Sequence, residues 1–130
     1  MLKLPSLAEL DRGLAVRVYL YTLPADMRKG FDTLAAGVQE FLGQDPLSGN
    51  LFLFVSRGRD RLKILYWDRD GYCLWYKRLE EGTYRLPPAP KDGRQSVELK
   101  ASELAMLLEG IDLRSVKRSR RMTLPRTAGG

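Results

Sequence analysis

Residues 51–56 read LFLFVS, a run of five large apolar side chains with nothing polar on either face of the strand they predict. Strand side chains alternate between faces, so such a strand has no solvent side and belongs in the middle of a sheet or between two layers. A chain of 130 residues that is 44% hydrophobic can bury the core this strand needs.

The flanking segments supply partners. Val16 to Thr22 (VRVYLYT) is rich in β-branched and aromatic residues and predicts a strand. Pro24 and the polar Ala25 to Gly30 form a connection. Phe31, Leu34, Ala35, Val38, Phe41 and Leu42 then follow at the spacing of one helical face, with Asp26 or Asp32 as candidate cap and Gly43 as the stop. Beyond the turn at Arg57 to Asp60, Arg61 to Trp67 alternates, with Leu62, Ile64 and Tyr66 on one face and Arg61, Lys63, Leu65 and Trp67 on the other. Asp68 to Gly71 (DRDG) signals a tight hairpin, in which Gly tolerates positive φ and Asp bonds its own backbone. Tyr72 to Glu81 is the return strand, and Thr83 to Leu86 is expected to continue the sheet. Pro87, Pro88 and Pro90 open a loop, Val97 to Leu99 is a short strand, and Ala101 to Glu109 is a second helix capped by Ser102 and closed at Gly110. The expected fold is α+β: one domain, residues 16–113, with a small antiparallel β-meander sheet packed by two helices. Residues 1–15 are an N-terminal lead-in and 114–130 a basic flexible arm.

Charge follows that division. From Arg114 onward there are six cations, Arg114, Lys117, Arg118, Arg120, Arg121 and Arg126, and no acid. Subtracting them from the 22 basic residues leaves 16, equal to the 16 acids, so the whole net charge of +6 sits in the arm. The chain has no histidine, which excludes Ser/His/Asp and Cys/His nucleophilic sites, His-ligated zinc and imidazole acid–base chemistry. The single cysteine, Cys73, forms no internal disulfide and reads as a small buried hydrophobe. No apolar run approaches the roughly 20 residues of a membrane span. Met1 to Arg12 carries Glu9 and Asp11 and lacks a signal peptide's apolar stretch, so a cytoplasmic location without membrane contact is expected.

Several uncommon strings occur in a telling order: DMRKGFD from Asp26, DPLSGNLFLF from Asp45, KILYWDRDG from Lys63 and LEGID from Leu108. Over Val16 to Asp112 the chain resembles the TnpB accessory proteins of the IS-sixty-six insertion-sequence family, which are unrelated to the much longer RNA-guided nuclease of the same name. The resemblance implies a bacterial, non-catalytic component of transposition, acting beside a separately encoded transposase and near element DNA. It brings no catalytic residues and implies no cofactor. The N-terminal dozen residues and the long basic arm depart from the family's usual short form.

Candidate sites follow from chemistry. Arg28 and Lys29, next to Asp26 at the predicted helix start, would hold phosphate with help from the helix amides. Arg57, Arg59, Arg61 and Lys63 on one hairpin, with Lys77, Arg78 and Arg85 beyond the next turn, interleave with Tyr66, Trp67, Tyr72, Trp75, Tyr76 and Tyr84. Cations for phosphates and rings for bases make a nucleic-acid surface, although Trp67 and Trp75 read as core. In the arm, Arg114, Lys117, Arg118, Arg120 and Arg121 would contact DNA with little sequence preference. With Arg126, six phosphate contacts would give a salt slope of roughly −5. Asp68 and Asp70 would suit Mg²⁺ in a low-ranked nuclease reading, but hairpin chemistry explains them. The expected function is binding of DNA, at element ends or non-specifically, and of the transposase, with a homo-oligomer open. The alternative is an adaptor that docks transposase through Ala101 to Glu109, Ile111 and Leu113 without touching DNA.

Overall fold

The apolar run forms strand β2 (Leu51–Val55), and all of its residues are buried. A computed structural model describes residues 16–109; the expected lead-in, the arm and the closing Gly110 lie outside the described residues. Four more strands, β1 (Val18–Tyr21), β3 (Arg61–Asp68), β4 (Gly71–Arg78) and β5 (Ser96–Leu99), join β2 in one open sheet of order β4-β3-β2-β1-β5. The run read as central from its two apolar faces is the middle strand.

The fold is α+β, and β2, β3 and β4 form the expected antiparallel meander. The sheet is nevertheless mixed. β1 pairs parallel to β2, Val18 opposite Leu51 and Leu20 opposite Leu53, and β5 runs antiparallel on the outer edge of β1. A parallel neighbour needs a crossover, and helix α1 (Phe31–Gly37) provides it.

Alternation along the strands divides the core in two. Phe52, Phe54 and Leu65 pack with Leu34, Ala35, Val38 and Leu42 on the α1 face. Leu51, Leu53, Val55, Leu62, Ile64 and Tyr66 pack with Leu104 and Leu107 of helix α2 (Ala101–Leu108) on the other. One helix therefore covers each face.

Local details depart from expectation for identifiable reasons. After Gly37 the helix widens into a π-helical segment, Val38–Leu42, ending at Gly43 in the left-handed region with φ 65°. The widened turn keeps Leu34, Val38 and Leu42 on the sheet, while Phe31 and Phe41, expected on the same apolar face, are exposed. Neither Asp26 nor Ser102 caps a helix. Gly30 is the N-cap of α1, and at α2 the N-cap is Lys100, whose N–H donates to the Glu103 carboxylate at 2.8 Å. The DRDG hairpin forms with Asp68 opposite Gly71, yet Arg69, at φ 53°, takes the left-handed conformation that Gly71 was expected to supply. No helix among the described residues is long and apolar enough to cross a membrane.

Thr83 to Leu86 does not extend the sheet. Gly82, at φ 76°, turns the chain, and Tyr84 plugs the α2-side core, its N–H donating to the Arg59 carbonyl at 2.7 Å. Tyr84 is fully buried, and its hydroxyl has no hydrogen-bond partner among the described residues. Burial and the nearby Asp60 charge push that phenol up to about 12. A buried hydroxyl without a partner carries a desolvation cost that phenylalanine lacks. Tyr84→Phe is therefore expected to raise unfolding stability by about 1 kcal/mol in urea denaturation; a loss of stability would mean the hydroxyl is hydrogen-bonded in solution.

Candidate nucleic-acid interface

Because β1 and β2 are parallel, their carboxyl ends lie side by side, and the loops that follow them meet. Ala25 bridges to Ser56 in parallel fashion, its N–H donating to the Val55 carbonyl at 2.8 Å. Between the loops is a cleft of about 570 Å³, lined by Pro24 to Arg28 on one side and by Ser56, Arg57, Gly58, Asp60 and Arg61 on the other. Open sheets with parallel strands commonly bind ligands at this position. DMRKG and RGRD, distant in sequence, are the two walls of one site.

Each wall is built locally. Asp26 accepts the Arg28 N–H at 2.9 Å and closes an Asx turn. The same carboxylate holds the Arg28 guanidinium, Nη2 to Oδ2 at 2.8 Å and Nε to Oδ1 at 3.0 Å, although the Arg28 side chain is 91% exposed. Those bonds lower the Asp26 carboxyl to about 2 and raise the Arg28 guanidinium. The pair is intact above the ordinary carboxylate range and breaks only as pH falls towards 2. On the other wall, Ser56 Oγ donates to Asp60 at 3.2 Å and accepts the Arg61 N–H at 3.1 Å, fixing the tight turn whose residue Arg59 has φ 61°.

Lys63 holds the first wall in place. Expected at the surface as a phosphate ligand, it is only 6% exposed. Its ammonium donates to the carbonyls of Met27 at 2.7 Å and Lys29 at 2.8 Å and lies 4.9 Å from the centre of the Tyr76 ring. A buried ammonium is tolerated only with such partners. In this position Lys63 acts as a tether beneath the loop.

The remaining cations separate by place. Arg28, Arg57 and Arg61 line the cleft, and Lys29 and Arg59 are exposed on its two loops. Arg78 lies directly opposite Arg61 across β3 and β4 and pairs with Glu80 at 3.1 Å. Lys77 belongs to the other face, its ammonium 3.3 Å from the Leu108 carbonyl at the end of α2, where a cation meets the helix's negative pole. Arg85 is half-buried. Arg114, Lys117, Arg118, Arg120 and Arg121 lie outside the described residues. Ion pairs are mostly very local, Asp26 with Arg28, Asp68 with Arg69, Glu80 with Arg78 and Asp92 with Arg94. Among the described residues Lys29, Arg57, Arg59 and Arg61 have no ion pair.

The rings play a smaller part than their number suggested. Trp75 and Cys73 pack against the α2-side core, Trp67 meets the edge of Tyr72 at 5.1 Å, and exposed Tyr76 already faces Lys63. Asp68 closes the hairpin opposite Gly71 and Asp70 lies in its turn, and no group of three metal-ligating side chains occurs among the described residues. The helix amides add little, since α1 has seven residues and Asp32 in its own first turn. Residue spacing did not reveal Ser56 and Asp60, which brace the second wall; a parallel pairing of β1 with β2 was the missing information.

Lys63→Met nearly keeps the side chain's length but leaves two carbonyls without a donor. It is expected to cost roughly 1–3 kcal/mol and to accelerate amide exchange across Asp26 to Gly30. Unchanged exchange there would show that the tether does not hold the loop.

Two uncharacterized proteins of Sinorhizobium fredii (strain NBRC 101917 / NGR234) are similar along most of the chain. The one called y4hO is 40% identical over 114 residues, 88% of this chain and 96% of that one. The one called y4jC is 39% identical over 108 residues, 83% of this chain and 88% of that one. No solved structure matches. A family model described as IS66 Orf2 like protein matches residues 16–118, spanning both cleft walls and the whole sheet, and the chain belongs to that family.

Proposed function

We propose that the chain is a non-catalytic accessory protein of insertion-sequence transposition that holds DNA backbone phosphates in the cleft between the Asp26 to Gly30 and Arg57 to Arg61 segments. Membership of the IS66 Orf2 family supports the role in transposition. The observation that carries DNA contact is the gathering of Lys29, Arg57, Arg59 and Arg61, all without an ion pair among the described residues, around one open cleft. Guanidinium groups on two rigid walls suit phosphate oxygens, and no exposed ring lines the cleft to stack a base. Binding through this site is accordingly sequence-tolerant, and the basic arm from Arg114 adds further phosphate contacts. The transposase of the same element is the expected protein partner, and the cytoplasm the expected setting.

The adaptor reading draws less support. The described part of its apolar strip, on α2, is largely covered, with Leu104 and Leu107 at 2% exposure against the sheet and Met106 turned outward, while Ile111 and Leu113 lie outside the described residues.

DNA titrations across a salt series test the proposal. Arg57→Ala/Arg61→Ala in the full chain is expected to reduce the salt slope by about 2, near 0.9 per lost phosphate contact, with an unchanged melting temperature. An unchanged slope would confine DNA contact to the arm or remove it. Asp26→Asn keeps the acceptor for the Arg28 N–H but removes the charge that competes for the guanidinium. Several-fold tighter DNA binding is expected near neutral pH; weaker binding would mean that the Asp26–Arg28 pair itself is the recognised unit.

A further inference from the structure

The two edges of the sheet are unequal. β5 is a four-residue strand, whereas β4 presents eight residues, Gly71–Arg78, with no strand beyond it among the described residues. A long exposed edge is a template for another strand.

The hydrogen-bond phase of β4 is fixed by its hairpin. The Leu79 N–H donates to the Asp60 carbonyl in register with the β3–β4 ladder, in which Arg61 faces Arg78. Antiparallel pairs alternate between bonded and non-bonded types. Odd-numbered residues of β4 therefore direct their backbone groups at β3, and Tyr72, Leu74 and Tyr76 direct theirs outward.

We infer that β4 is the contact between two copies of this chain, paired antiparallel about a two-fold axis at Leu74 to give one continuous ten-stranded sheet. In this register Leu74 faces its own copy, Tyr72 faces Tyr76, and all the outward backbone groups meet outward groups. The ends are complementary in charge, because Asp70 of each copy comes opposite Arg78 of the other. Among the described residues Asp70 has no ion pair. Shifting the axis to Trp75 would oppose Asp70 to Glu80 instead, so charge selects the Leu74 register. The interface is isologous and closes at two copies.

Sedimentation of the full chain over a wide concentration range is expected to show a species of twice the 14.8 kDa chain mass. Tyr76→Pro removes one outward N–H without touching the β3 ladder and is expected to give a monomer of unchanged secondary structure. Arg78→Asp is expected to weaken dimerisation roughly tenfold, and Asp70→Arg/Arg78→Asp to restore it. Trp75→Cys would bring its new thiol opposite Cys73 of the other copy in a non-bonded pair, close enough for an intermolecular disulfide. A monomer at every concentration overturns the inference. So does a dimer indifferent to Tyr76→Pro and to the charge swap, which would join elsewhere. A monomer whose Tyr72, Leu74 and Tyr76 amides resist exchange also overturns it, assigning the edge to the chain's own segment after Glu109.

Discussion

The burial of β2 on both faces is the constraint from which the architecture follows. A strand without a solvent side needs a neighbour on each edge and a covering layer on each face. The meander supplies β3 on one edge by the shortest route. The other edge is taken by the earlier strand β1, reached through α1, and that order makes the pair parallel. Parallel pairing then sets the carboxyl ends of β1 and β2 together, with their following loops in contact. The cleft is a consequence of how the central strand is enclosed.

Electrostatics are arranged on the same plan. The balanced count of acids and bases over residues 1–113 suggests a body without a field. Yet most ion pairs join residues one or two positions apart, at Asp26, Asp68, Glu80 and Asp92, and so neutralise charge only where they stand. Among the described residues the cations around Arg57 and Arg61 have no such neighbour pair. Lys63 adds a second level, because its buried charge is used to hold the carbonyls of Met27 and Lys29 and thereby to fix the wall from which Arg28 projects. Neutrality over the whole body and a local cationic site are compatible because pairing is short-ranged.

What was legible in the sequence was what depends on near neighbours. The two apolar faces of β2, the alternation of Leu62, Ile64 and Tyr66, the turn at Arg69 and Asp70 and the helical spacing of Leu34, Val38 and Leu42 each state a local rule, and the fold obeys them. Details settled by competing groups were not legible. Asp26 looks like a helix cap, but its carboxylate is taken by Arg28; Lys63 looks like a surface cation, because alternation tells which face it shares with Leu65 but not that the Met27 to Lys29 carbonyls lie over it. The joining of Arg28 with Arg57 and Arg61 was hidden for another reason. It requires strand order, which rests on contacts between segments some thirty residues apart, whereas each cluster carries only its own local signal.

The long edge of β4 and the cleft bear on each other through geometry. An antiparallel pairing within one sheet has its two-fold axis perpendicular to the sheet, so the α1 faces of both copies point the same way. Measured across the strands, the two β1–β2 junctions are six spacings of about 4.8 Å, or roughly 29 Å, apart. The same two-fold reverses the strands, so the two clefts, each at the carboxyl ends of β1 and β2, open at opposite ends of the joined sheet. A cleft that held phosphates without reading bases would gain little selectivity alone; two such clefts at a fixed separation would add the length and direction of a duplex to what is recognised. The sheet edge would then set the distance and the cleft the chemistry, both consequences of a chain that begins its enclosure of β2 with a parallel strand and ends its meander on one with no strand beyond it among the described residues.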